Sequence, residues 1–191
     1  WSTDTSTPYV SQTNGIVERQ VGIVEEGARA ILDRAGSGPK MWHLACRHFC
    51  FAMNTRVRDG DSAYNRRHKA GHLDYEKIPF GAEIDYSPPK PVKARRAKFD
   101  TVAIPGIMLG YHMNDGGRWS GDYLVVSIEA LRNSCVEGVL QYEVKTHRTK
   151  EVFYDSTVPP RFPALPAYDE SRLKLTHPLP DFKADMPTES G

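Results

Sequence analysis

The hydrophobic period changes once along this chain, and that change limits the fold more than any other feature. Apolar residues first return every three or four positions. Val17, Val21, Val24, Ala28, Ile31 and Leu32 form one such run, and Trp42, Ala45, Cys46, Phe49, Cys50 and Met53 form a second. Each run is the stripe of an amphipathic helix. Gly36 and Gly38 end the first helix, and Pro39 opens the second. Two helices joined by so short a turn pack on each other, or jointly on a third surface. From Ile78 onward the period is two. "IPFGAEIDYSPP", "IPGIMLGYHM" and "GDYLVVSIEAL" read as strands, the last two separated by the turn-forming "NDGGRWS". "VLQYEVKTHRTKEVFY" reads as one more strand pair, with a turn near His147–Thr149. Helices followed by strands predict an α+β chain whose β unit is a small antiparallel, five-stranded barrel.

Polarity divides the remainder. "RVRDGDSAYNRRHKAGH", Arg56–His72, is dense in charge and reads as a linker with one irregular turn. Residues 156–191 are rich in Pro and charge with little periodicity, so they are expected to be disordered or peripheral. The expected organisation is therefore helices over 1–55, a charged linker over 56–75, a β unit over 76–155 and a tail over 156–191. The net charge of +1 says nothing about partners, so any such argument needs local clusters. No apolar run approaches the length that spans a bilayer, and there is no signal-peptide pattern. The three cysteines, Cys46, Cys50 and Cys135, argue against a secreted disulfide scaffold and for a reducing compartment. A start at Trp1 rather than Met suggests a piece of something longer.

One carboxylate stands out by position. In "TPYVSQTNGIVERQ", Thr7–Gln20, a polar loop runs into the first helix and Glu18 lies in its first turns. Glu18 borders the apolar stripe, and Gly22 one turn later leaves space beside it. That placement suits a metal ligand. It equally suits an ordinary first-turn Glu favoured by the helix dipole.

The ordered string resembles the end of the catalytic core of copia-type retrotransposon integrases. The matching pieces are Thr7-Pro8-Tyr9, Gln12, Asn14-Gly15, Glu18-Arg19 and Ala28-Arg29-Ala30-Ile31-Leu32. "MWHLACRHFCFAMN" is similar to the next helix of that family, and "IPFGAEIDY", "KFDTVAIPGIMLGY" and "GDYLV" resemble its post-core region. The resemblance runs in order over residues 7–126. It implies the C-terminal helices of an RNase H-like core, followed by a small SH3-like β unit. It implies Glu18 as the third carboxylate of a site that binds Mg²⁺ or Mn²⁺ through hard oxygen ligands. It implies Tyr9, Gln12, Asn14 and Arg19 as DNA contacts, and DNA integration by polynucleotidyl transfer as the parent function. It further implies a homo-oligomer with no membrane association, acting in the nucleus after a cytoplasmic particle stage. Two departures count against activity in this chain alone. Only seventeen residues precede Glu18, and Asp4 is too close to supply either partner aspartate. Gln20, Val21 and Gly22 also replace the basic residues the family often carries there.

Three other features have chemistry of their own. "KPVKARRAKF" is the densest basic run, and Lys90, Lys93, Arg95, Arg96 and Lys98 are candidate phosphate contacts, with Arg66, Arg67 and Lys69 nearby in sequence. A solvated loop is the plainer reading of that run. His43, Cys46, His48 and Cys50 have the donor types for zinc, but one helix does not aim all four at one ion. Trp119, in a Gly-rich turn, is expected to cap the end of the β unit. A non-catalytic nucleic-acid-binding or assembly module is the alternative to a transferase fragment.

Overall fold

A computed structural model of the chain describes residues 15–88, 102–136, 139–140 and 144–176. The fold is α+β. Helix α1 spans Gly15–Ala35 and α2 spans Trp42–Thr55, with a 3-10 turn at Pro39–Met41 between them. A short hairpin follows, β1 (Val57–Arg58) and β2 (Asp61–Ser62), then α3 (Ala63–His68). Strands β3 (Glu83–Tyr86), β4 (Ile104–Met113) and β5 (Trp119–Ser127) lead to α4 (Ile128–Ser134). After α4 come the two-residue strands β6 (Cys135–Val136) and β7 (Val139–Leu140), then β8 (His147–Thr149), β9 (Val152–Phe153) and α5 (Leu165–Thr176).

The end of α1 is written in its sequence. Gly36 takes φ +64°, its N–H donates to the Asp33 carbonyl, and the Ser37 N–H donates to the Leu32 carbonyl. That is the Schellman pattern, which satisfies the last carbonyls and turns the chain toward α2. Side by side, the helices touch closely at Gly27, where an added Cβ would fall 2.3 Å from the Phe49 ring.

The main sheet is antiparallel with strand order β8-β5-β4-β3-β9. Its two edge strands are separated in sequence by only Lys150 and Glu151. Such a link reaches at most about 11 Å, whereas a flat five-stranded sheet is about 19 Å wide. The sheet must therefore curl. Around this corner the Ser87 N–H donates to the Glu151 carbonyl, and the Thr149 hydroxyl donates to the Ser87 carbonyl. The expected turn at His147–Thr149 is instead an edge strand, and the expected pair divides between opposite edges.

Two packed clusters flank the sheet. On one face Ile107, Leu109, Leu124 and Val126 meet Ala28, Leu32, Ala35, Met41 and Ala45 of the helical part. On the other, Ile84, Tyr86, Met108, Tyr111 and Val125 meet Phe51 and Ile78. A β-bulge separates the two patterns along β4: Met108 pairs with Val125, and Gly110, not Leu109, pairs with Leu124. Leu109 is the extra residue, so Tyr111 points to the same face as Met108. Gly110 holds φ +148°, a backbone shape that side chains resist, and lies beneath His48 of α2. The helix thus crosses the strand at its bulge and contributes to both clusters.

Two segments carry more structure than charge and Pro content suggested. Within 56–75, the Ser62 hydroxyl caps α3 by accepting from the Asn65 N–H, and Tyr64 is buried with its hydroxyl accepting from the Trp119 N–H. Within the tail, α5 packs on the α1–α2 turn. The Tyr168 hydroxyl donates to the Asp33 carboxylate, and Arg172 lies 3.5 Å from the same group. Residues 177–191 lie outside the described residues.

Candidate nucleic-acid interface

Helix α2 is gripped on two sides, and this decides what its remaining side presents. Phe49 faces α1 at Gly27, while Ala45, His48, Phe51 and Thr55 are buried. The stripe expected through Trp42, Cys46 and Cys50 is rotated: Trp42 is 62% exposed, and both thiols are only half-buried. The physical reason is that the sheet takes one face of α2 while α1 takes the next. Lys40, at the start of the turn, and His43 and Arg47 of α2 follow at spacings of three and four, so they share a third face.

That face forms one wall of a cleft of about 380 Å³. Across from it stand Leu109 and His112 of β4, Leu124 of β5, and Val144 and Thr146 ahead of β8. Met41 and Leu44 complete an apolar floor. No carboxylate is among the described residues that line it. The Nδ1 of His112 is buried with no hydrogen-bond partner among the described residues. Cationic groups over an apolar floor suit a sugar-phosphate chain, with phosphate oxygens at Lys40 and Arg47 and sugar carbons on Leu44 and Val144.

Of the metal and DNA contacts named from the motif string and the Lys90–Lys98 run, only Glu18 and Arg19 fall within the described residues. Glu18 and Arg19 lie in the first turns of α1, where every residue from Gly15 to Val21 is exposed. Tyr9, Gln12, Asn14, Lys90, Lys93, Arg95, Arg96 and Lys98 lie outside the described residues. Among the described residues no group of three or more His, Cys, Asp or Glu side chains could hold a metal ion. That covers the zinc donors: His43 faces the basic cleft and His48 is buried over the sheet. Burial, then the neighbouring Cys46, pushes the Cys50 thiol above its ordinary range.

Two features escaped sequence reasoning. The spacing of Lys40, His43 and Arg47 was visible, but nothing in it showed which face the sheet would leave open. His112 had no signal, because its side is set by the bulge at Gly110. Trp119 does cap the hairpin end, donating its Nε1–H to the Asp122 carbonyl and packing on Phe51, Tyr75, Tyr111 and Tyr123. Asp122 itself is buried under Arg148 at 2.7 Å, and that guanidinium holds its carboxyl below the usual range. No described helix is long and apolar enough to cross a membrane. No protein-family model, no curated protein and no solved structure matches the chain.

Proposed function

We propose that this chain is a DNA-contacting part of a copia-type retrotransposon integrase, whose parent function is DNA integration by polynucleotidyl transfer. The observation that carries the DNA contact is the cleft on α2, with Lys40, His43, Arg47 and His112 around it and no carboxylate among its described lining residues. The step from contact to integration rests on the ordered motifs from Thr7 to Leu32 and their continuation to Val126. In this reading α1 and α2 are the last helices of an RNase H-like core, and the curled sheet is its SH3-like partner unit. Oligomerisation and a nuclear site of action belong to the same proposal.

Glu18 is the third carboxylate in this reading. Such a site, with Glu18 as one ligand, would hold Mg²⁺ or Mn²⁺, which would supply activation of the attacking hydroxyl and charge stabilisation at the leaving oxygen. The described residues do not by themselves make that site, since no three or more His, Cys, Asp or Glu side chains among them are grouped to hold a metal. No catalytic step is assigned to this chain. Its own part is to bind and orient DNA.

The test is to read the coding region ahead of Trp1. An open frame carrying two aspartates on predicted strands of an RNase H-like core supports the integrase reading. A start codon close by, with no such acids, overturns it. The second reading, a non-catalytic nucleic-acid-binding module, is favoured by the cleft itself, which needs no metal. Under it, DNA binding is unchanged by Glu18→Gln with or without Mg²⁺.

A further inference from the structure

A second cavity lies at the other end of α2 and differs in chemistry from the basic cleft. It measures about 590 Å³, within the usual range for small-ligand sites. Tyr75 supplies an aromatic wall, with the buried Tyr111 and His48 behind it, and Arg56 and Lys77 supply two cations. No carboxylate is among the described residues that line it. The aromatic wall is backed by a fixed cluster. Phe51 stacks on Tyr111 at 4.2 Å between centroids, and the Tyr111 hydroxyl is fixed by the Ile78 N–H and the Glu76 carbonyl.

The polar groups are equally constrained. The Thr55 hydroxyl donates to the Phe51 carbonyl at 2.9 Å and lies 2.8 Å from the Tyr75 hydroxyl. With its one proton committed to the carbonyl, Thr55 accepts from Tyr75. The Tyr75 oxygen keeps acceptor capacity for an N–H donor. His48 is buried and uncharged at neutral pH, so Arg56 and Lys77 carry the positive charge of the site.

We infer that this cavity is a nucleotide site: it takes a planar base against Tyr75, with the attached phosphate at Arg56 and Lys77. Base faces stack on aromatic rings regardless of sequence, and paired cations hold the phosphate. Within duplex DNA a base is not available to such a cavity. The natural occupant is therefore an unpaired nucleotide of a strand, or a free nucleotide of the same chemistry. The inference rests on this cavity and not on the basic cleft, so it extends the proposed DNA contact without depending on it.

The test is a titration of the full chain, followed by NMR, with thymidine 5′-phosphate, a short oligothymidylate and base-free deoxyribose 5-phosphate. The two base-carrying probes are expected to bind at least about tenfold more tightly than the base-free one, the size of a single stacking contribution. Shifts are expected at Tyr75 and Lys77. The tighter of the two base-carrying probes shows whether a free nucleotide or a strand is preferred. Ala52→Glu places a carboxylate in the cavity from an exposed helix position. It is expected to abolish binding of both base-carrying probes while the spectrum stays folded. Lys40→Ala with Arg47→Ala is expected to leave mononucleotide binding unchanged. Equal affinity for the probes with and without a base, or no shift at Tyr75 at millimolar nucleotide, overturns the inference. Loss of duplex binding alone counts only against the basic cleft.

Discussion

Helices α1 and α2 are both amphipathic, yet the fold treats them differently. Helix α2 buries Ala45, His48, Phe51 and Thr55 along nearly its whole length. Helix α1 buries Ala28, Leu32 and Ala35, all in its second half. Its first half leaves Val17 at 63% and Val21 at 50% exposure, although these residues continue the same stripe. The difference lies in what each helix rests on. Helix α2 contributes to both packed clusters, whereas α1 joins only the first, through its second half. Period reports that a helix has an apolar face, but the partner surface decides how much of that face is used.

The widest gap between the helices is expected in truncations. Phe51→Ala removes a side chain stacked in the aromatic cluster and is expected to cost about 4 kcal/mol. Val21→Ala removes exposed carbons and is expected to stay within about 0.5 kcal/mol. Urea midpoints of the two variants check this contrast. Similar losses would break it, showing that the first half of α1 is covered in solution.

Acid should sharpen the contrast from the side of α2. His48 is buried between Phe80 and Tyr111, and its Nδ1 has no partner among the described residues. Burial lowers its pKa from 6.5 to about 4. In the unfolded chain the ring takes up a proton below pH 6.5, while the folded chain resists until about pH 4. The unfolded state then holds more protons, so stability falls as pH drops through that window, by up to roughly 3 kcal/mol from this group. His48→Leu is expected to flatten the pH dependence of the urea midpoint between pH 6.5 and 5. An unchanged slope would show that other groups carry it.

Two glycines within α1 give the smallest and cleanest comparison. Gly27→Ala drives a methyl into the Phe49 ring and is expected to cost about 1–3 kcal/mol. Gly22→Ala meets nothing within 4 Å and is expected to stabilise by roughly 0.5–1 kcal/mol, from helix propensity alone. Matching signs in thermal melts would contradict the close contact at one end and the open surface at the other.

Much of this arrangement was legible in the residues themselves. The two helices, the Gly36 stop and strands β4 and β5 follow from period and turn chemistry, although the run read as β5 turns into helix α4 from Ile128. The rotation of α2 was not legible, because Trp42 and Phe49 look equally fit for a core until the sheet claims one face. Nor was the bulge, since Leu109 and Gly110 continue an apolar run without a mark of where pairing slips. The division of 147–153 between opposite edges follows from curling, a property of the whole sheet. For the interface, sequence drew attention to Lys90–Lys98, while the cleft is assembled from residues 40 to 146 that only the fold brings together. Glu18 lies on the exposed first turns of α1.

The most direct measurement is the affinity of the full chain for a short DNA duplex at several salt concentrations, with and without Lys40→Ala and Arg47→Ala together. Binding is expected to weaken steeply with salt, and the double variant is expected to lower the log–log slope by about two, one for each lost phosphate contact. An unchanged slope, or no binding even at low salt, would contradict a DNA-contacting cleft on α2.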